Sequence, residues 1–460
     1  MAETEATAAV RDEWGALAPD FVSAVAAALA GDDGKALRGL TRDLHAADLA
    51  DLIAAIEQED RVRLVAALGR GFNAEALAEL DEGVRDTLLE ALPNDVIASA
   101  IKKLDTDDAL YLIEDMAEAE QQEILARVPK EERAALARAL DYPEQTAGRL
   151  MQTEFVAVPA FWTAGRAIDH MRTEKDLPES FVEVYVVDPG FHLKGAVPLS
   201  RILRSPRDRK VGEIMDEEQT IFRVTDAQDE VAFKFEQYNL VSAAVVDEAG
   251  RLVGTIMVDD IVDVIQEEAE EDILHLGGVG GEETIADTVW QTARSRFTWL
   301  FVNLGTAVLA SFVISLFGAT ISQMVALAVL MPIVASMGGN AGTQTMTVAV
   351  RALATRDLGP VNAVRVTLRE CAVGLLNGLC FAVLMGAFAW WWFGSDELGL
   401  VIAAALVINL MAAALAGILI PLTLDHFDID PAVASGVFVT TVTDVVGFLA
   451  FLGLAAAWLI

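Results

Sequence analysis

The chain has 460 residues, enough for several domains rather than one. Its formal net charge is −36, and the six Lys/Arg and eight Asp/Glu from residue 291 onward leave −34 of that to the first 290 residues. Such a surface repels nucleic acid and anionic lipid and attracts cations, which excludes a nucleic-acid-binding role.

The amino-terminus, MAETEATAAVRDEW, is polar and acidic and lacks the apolar run of a cleavable signal. It is expected to stay in the cytosol. Residues 20–140 read as helical throughout. Leu49, Leu52, Ile53 and Ile56 recur at helical spacing, and LPND (92–95) and VPKEE (128–132) punctuate the run. This predicts a small stack of helix pairs. It holds no catalytic constellation, so the chain does not read as an enzyme.

Residues 148–265 contain a duplication. Gly148-Arg149-Leu150-Met151 matches Gly212-Glu213-Ile214-Met215 at an offset of 64. Val187-Asp188, Gly195 and Ile202 match Val246-Asp247, Gly254 and Ile261 at an offset of 59, with an insertion around DLPESF in the first copy. Each copy reads Met, short strand, helix, VVD–turn–Gly–strand and closing helix. The pattern resembles a pair of CBS domains, modules that usually bind adenosine nucleotides or regulate. That resemblance makes an adenine nucleotide a candidate partner. The ribose-binding pattern wants Thr or Ser three residues after the glycine and Asp three further on. The first copy offers Pro198 and Arg201; the second offers Met257 and keeps only the acid, Asp260.

From Asp259 to Asp272 there are eight acids in fourteen residues and no basic residue. On a helix, Asp260, Asp263, Glu267 and Glu271 share a face, and each like-charge pair costs about 0.2–0.5 kcal/mol. A bound divalent cation would offset that cost. A solvated face is the ordinary alternative, but this run leads directly into the first apolar segment.

Five membrane spans are expected at 298–317, 322–350, about 370–393, about 398–421 and about 431–459, each long enough for about 30 Å of hydrocarbon. Arg294 and Arg296 precede the first. Arg351, Arg356, Arg365 and Arg369 are assigned to the connection between the second and third, and GSDEL after the third has no basic residue. The basic segments belong in the cytosol, which leaves the carboxy-terminus outside. Cys371 and Cys380, nine residues apart on one helix, are about 13 Å apart and not placed to pair.

Two features stand out within the spans. Asp444 is read as the one ionisable residue deep in the membrane, where a carboxylate costs about 2.5–3.5 kcal/mol and normally marks an ion or proton path. Thr440, Thr441 and Thr443 add hydroxyl oxygens beside it. In MPIVASMGGNAGTQT (331–345), Pro332, Gly338, Gly339 and Gly342 predict a break in the helix, with Asn340, Thr343, Gln344 and Thr345 supplying neutral oxygens. Close helix packing through small residues is the competing account.

The order of these parts, with DYPEQTAGRLM (141–151), GGNAGTQ and TTVTDVVGF, resembles the MgtE magnesium transporters and channels of bacteria over nearly the whole chain. The resemblance implies a multi-domain fold: an all-α cytosolic superhelical domain (1–140), an α+β tandem CBS pair (141–265), an acidic connecting helix (266–296) and an all-α transmembrane domain of five helices (297–460). It implies a multi-pass protein of the bacterial plasma membrane, surrounded by lipid, working as a homodimer with a pore on the two-fold axis. Asp444 would be the pore carboxylate, with Thr440 and Thr441 beside it and Gly338, Gly339 and Asn340 at its entrance. Regulatory Mg2+ would be held by Asp260, Asp263, Glu268, Glu271 and Asp272, with Asp229 from the second CBS copy and Asp107 or Asp108 from the helical domain. Thr343 stands where many members have Asn. Competing readings are a carrier of calcium, manganese or cobalt, a membrane sensor that transports nothing, and an intramembrane aspartyl protease. The last needs two carboxylates sharing a proton, and one chain offers one.

Overall fold

A computed structural model describes residues 10–459 apart from 176, 179, 282, 284–288 and 428. Residues 1–9 of the polar amino-terminus, and two positions of the DLPESF insertion, lie outside the described residues. The chain divides into two compact units, residues 1–266 and 267–460.

The first unit opens with short helices from Pro19–Ala30 to Lys130–Leu140. Their starts follow local chemistry. The Asp33 carboxylate accepts from the Lys35 and Ala36 amides. Pro93 and Pro129 stand just before the helices that begin at Asn94 and Lys130. Leu49, Leu52, Ile53 and Ile56, the predicted stripe, all lie in one core with Phe21, Leu64 and Ile97. The core also swallows a charge. Arg85 is 1% exposed, stacks 4.0 Å from the Tyr111 ring centre and pairs with Asp86 and Asp115.

The duplication is visible in the strands. In the first copy β1 (Ala157–Pro159) runs parallel to β2 (Glu183–Val187), which pairs antiparallel with β3 (Leu193–Pro198). In the second, β4 (Ile221–Arg223), β5 (Ser242–Val246) and β6 (Leu252–Met257) repeat this arrangement. Val186 pairs with Gly195 and Val245 with Gly254, the same register shifted by 59. The repeated Gly and Met have one cause. A methyl on Gly254 would lie 2.6 Å from Sδ of Met151, and one on Gly195 would lie 2.4 Å from the Asp216 carbonyl and 3.3 Å from Cγ of Met215. Each copy's opening methionine thus packs on the other copy's glycine, which interlocks the pair.

The acidic connection differs from expectation at both ends. The helix runs Val258–Leu276 rather than 266–296, because it continues directly from β6 with Ile261 and Val264 buried in the second CBS core. From Val289 the chain is already in the helix of the first span.

Among the described residues, five helices are long and apolar enough to cross a membrane: Val289–Ser315, Ala326–Ala354, Ala363–Phe393, Asp396–His426 and Pro431–Trp458, numbered here as first to fifth spans. The break predicted near Gly338 does not occur; the second span is helical from Ala326 to Ala354, through Pro332. Gly338 and Gly342 serve close packing instead. Gly342 meets Val439 and Thr443 of the fifth span, and Gly417 of the fourth meets the Gly342 carbonyl. The third span starts seven residues before the expected 370, so Arg365 and Arg369 are helical rather than in the connection, as is Arg351 at the end of the second. It also takes in Glu370, which is buried near its amino-terminal end, whereas Asp444 lies midway along the fifth. Cys371 and Cys380 are both unpaired.

Candidate functional site

The first CBS-linked cluster lies in the first unit. The turn 105–108, at the start of the helix Thr106–Tyr111, brings Asp107 and Asp108 to the amino-terminal end of the acidic helix. Asp260 is fixed there by the Met257 amide, which donates to its Oδ2 at 3.3 Å. Asp107, Asp108 and Asp260 are partly buried. Burial first, then Asp260 and Asp108, push the Asp107 carboxyl well above the usual carboxylate range. Burial, then Asp259, with Asp108 and Asp263 further down, push Asp260 up to about 7. Burial, then Asp105, Glu75 and Glu79, push Asp108 up to about 6. Asp263 is raised by burial and by Asp259, and it in turn raises Glu79. The charges acting most strongly on Asp107, Asp108, Asp260 and Asp263 are all acidic. Asp229 is placed in the first turn of the helix Gln228–Tyr238, on an exposed surface of the same unit.

A second cluster lies in the second unit, at the other end of the acidic helix. Burial, then Asp430, then Glu268 push Asp272 up to about 6, while His275 opposes them. His275 places Nδ1 3.3 Å from Asp430 and Nε2 3.8 Å from Glu271. Asp430 is also the cap of the fifth span, accepting from the Ala432 amide at 2.7 Å. Leu276 packs beside Met346, Val350, Ala432 and Val439. The carboxy-terminal end of the acidic helix therefore touches the second and fifth spans. Among the described residues, no three His, Cys, Asp or Glu side chains are already gathered as ligands for one metal ion. What the clusters offer is crowded carboxylates whose repulsion a divalent cation would relieve; hard oxygen donors suit magnesium.

Within the spans, Asp444 is partly buried midway along the fifth helix. The hydroxyls of Thr440 and Thr441 donate to the Gly436 and Val437 carbonyls at 2.9 and 2.6 Å, which leaves their lone pairs as acceptors. Gly342 of GGNAG approaches Val439 and Thr443 closely, so the second and fifth spans bring the two predicted segments together. Asn340 is exposed on the single chain. Gly338 and Gly339 part company: a methyl on Gly338 would collide with Asn409, whereas one on Gly339 would meet open space.

Side chains of the two CBS copies meet directly. Tyr185 and Thr255 share a hydroxyl hydrogen bond of 2.6 Å, and the cavity beside them, lined also by Gln152 and Ser242, is 10 Å³. That holds about one water.

Three residues escaped sequence reading. Asp430 precedes Pro431 at the start of a span, a cap signature that was legible. Glu370 was masked by the misplaced start of the third span. Asn409, fully buried in the fourth, has no sequence signature; only its contacts reveal it.

Comparison with known proteins follows the same division. Residues 331–454 match a family model described as MgtE, divalent cation transporter; residues 44–145 match the MgtE intracellular N domain, and 211–267 match the CBS domain. The magnesium transporter MgtE of Thermus thermophilus is 33% identical over 442 residues, 93% of this chain and 96% of that protein. Its namesake in Enterococcus faecalis is 34% identical over 72% of each chain. The one in Bacillus subtilis is 29% identical over 93% of this chain and 95% of its own. Among solved structures, the cytosolic domain of the Mg2+ channel MgtE in complex with ATP aligns at 30% identity, covering 53% of this chain and 99% of that one, with a TM-score of 0.49.

Proposed function

Because the chain belongs to the MgtE family of magnesium transporters, we propose that it conducts magnesium through a homodimeric pore that closes when magnesium binds its acidic cytosolic domains. The observation that carries the pore reading is Asp444, a carboxylate midway along an apolar span, set among threonine oxygens and on the helix that packs against GGNAG. Magnesium sheds its waters reluctantly, so its path need not strip them. One Asp444 from each of two chains would hold a hydrated ion loosely enough for release. Asn340, Gly338, Gly339, Thr440 and Thr441 complete that path in the reading.

Closure rests on the two acidic clusters. Magnesium at Asp107, Asp108, Asp260 and Asp263, with Asp229 from the second CBS copy, would relieve repulsion in the first unit. Magnesium at Glu268, Glu271 and Asp272 would act where the acidic helix meets the second and fifth spans. The carried ion then closes its own path, which requires it to bind the compact state better than the loose one. The protein acts as a transporter and not as an enzyme.

Flux in liposomes tests the proposal. The intact protein should pass magnesium, and Asp444→Asn, which keeps shape but loses charge, should fall to the protein-free background while remaining folded. Wild-type flux in Asp444→Asn would move the pore elsewhere. Preference for calcium, manganese or cobalt in the same assay would keep the path and change the ion.

A further inference from the structure

Asn409 lies midway along the fourth span and is 0% exposed. A polar side chain within an apolar bundle needs a partner. Its Nδ2 donates to the Val334 carbonyl of the second span at 2.9 Å. In an unbroken helix that carbonyl is also the acceptor for the Gly338 amide, four residues on. The Asn409 side chain is enclosed on two sides. A methyl on Gly338 would lie 2.1 Å from Nδ2, and a methyl on Gly447 of the fifth span would lie 2.7 Å from it. A side chain at either position would displace the Asn409 amide. Three spans therefore meet at this one group.

The other end of the amide is unpaired among the described residues: Oδ1 is buried and accepts no hydrogen bond from them. A buried polar atom without a partner costs stability, so its retention calls for a use beyond packing. Its place along the helices is the second clue. Gly338 stands two residues before Asn340, and Gly447 stands three after Asp444. From the fourth span, Asn409 thus contacts the second and fifth spans within a turn of helix of both proposed pore positions.

We propose that Asn409 is a positioning residue for the ion path: held to Val334 and lodged between Gly338 and Gly447, it fixes the separation of Asn340 and Asp444. It touches no ion itself. The inference rests on the pore reading of Asp444. It makes Asn409 a determinant of ion affinity and preference, because those depend on the spacing of oxygens around the path.

The test uses the full-length protein in liposomes. Asn409→Leu keeps the size and removes the hydrogen bond. The magnesium concentration for half-maximal flux should rise by about tenfold or more, the usual effect of losing an outer support of a metal site. The ratio of magnesium to calcium flux should change as well. Protection of the cytosolic half from protease by magnesium should stay as in the wild type, because Asn409 lies in the membrane half. Wild-type concentration dependence and ion preference in Asn409→Leu would overturn the proposal. If that variant does not assemble, Asn409→Ala combined with Gly447→Ala removes the amide and fills part of its space. A positioning role leaves this pair shifted; a purely steric role restores it, and overturns the proposal. Failure of both to assemble would assign Asn409 to assembly and overturn it equally. Asp444→Asn, measured alongside, separates the two readings, since its wild-type flux would remove the pore reading whatever Asn409 gives.

Discussion

At Asp260 and Asp108 the carboxyls are raised from 3.8 to about 7 and about 6. A raised carboxyl means that the packed state holds a proton that the unfolded chain has already released. Between about pH 4 and pH 7, linkage then makes the metal-free protein less stable as the pH rises. Full-length protein without magnesium should resist protease in its cytosolic half at pH 5 and yield to it at pH 8. Added magnesium should restore resistance at pH 8 and add little at pH 5. Equal digestion at the two pH values would show that these acids do not face each other in solution. At the residue scale a carboxylate within an apolar run (Asp444) or an acid run without bases (259–272) stands out against its surroundings. Asn409 does not, because one neutral amide in VIAAALVINLMAAALAGILIPL breaks no pattern. Its meaning comes from Val334 and from two glycines far away in the chain.

Elements were harder to read where one residue pattern serves two ends. Gly338 and Gly342 are four apart, a spacing that suits a helix break with freed carbonyls and equally suits a smooth packing face. The helix is unbroken, and what decides it is the presence of Asn409, Val439 and Gly417 against those glycines. Gly342→Ala should therefore destabilise the protein by about 1–3 kcal/mol, the cost of overpacking, because the new methyl would lie 2.6 Å from Val439. Gly339→Ala, facing open space within the chain, should leave thermal unfolding in detergent unchanged or slightly raised. The strands were legible for the opposite reason. The 59-residue repeat of Val-Asp and Gly fixed one register twice, and both sheets adopt it. The acidic helix was legible in its charge but not in its start, because β6 runs into it without a turn. Neutralising Asp260, Asp263, Glu268 and Glu271 together, to Asn or Gln, should abolish the effect of magnesium on protease resistance and leave flux open at millimolar magnesium. A retained magnesium response would reduce the run to a solvated face.

For the molecule as a whole, the order of helical domain, CBS pair and five apolar helices followed from charge, duplication and hydropathy, each of which extends over many residues and survives local misreading. Orientation is a separate matter. Reporters attached at the carboxy-terminus should be reached only from outside the cell, and those at Arg356 only from the cytosol; the reverse would invert the membrane half. The third and fourth spans are each 31 residues long, about 46 Å at 1.5 Å per residue, against about 30 Å of hydrocarbon. One end of the third carries Trp390, Trp391 and Trp392, all exposed, which suits the headgroup level. With that end anchored, the surplus length must be taken up by tilt or by standing proud of the opposite face. Bilayer thickness then becomes a variable of function. Flux should differ between liposomes of short-chain and long-chain lipid at equal magnesium, and replacing the three tryptophans with leucine should blunt that difference by freeing the helix to slide along the membrane normal.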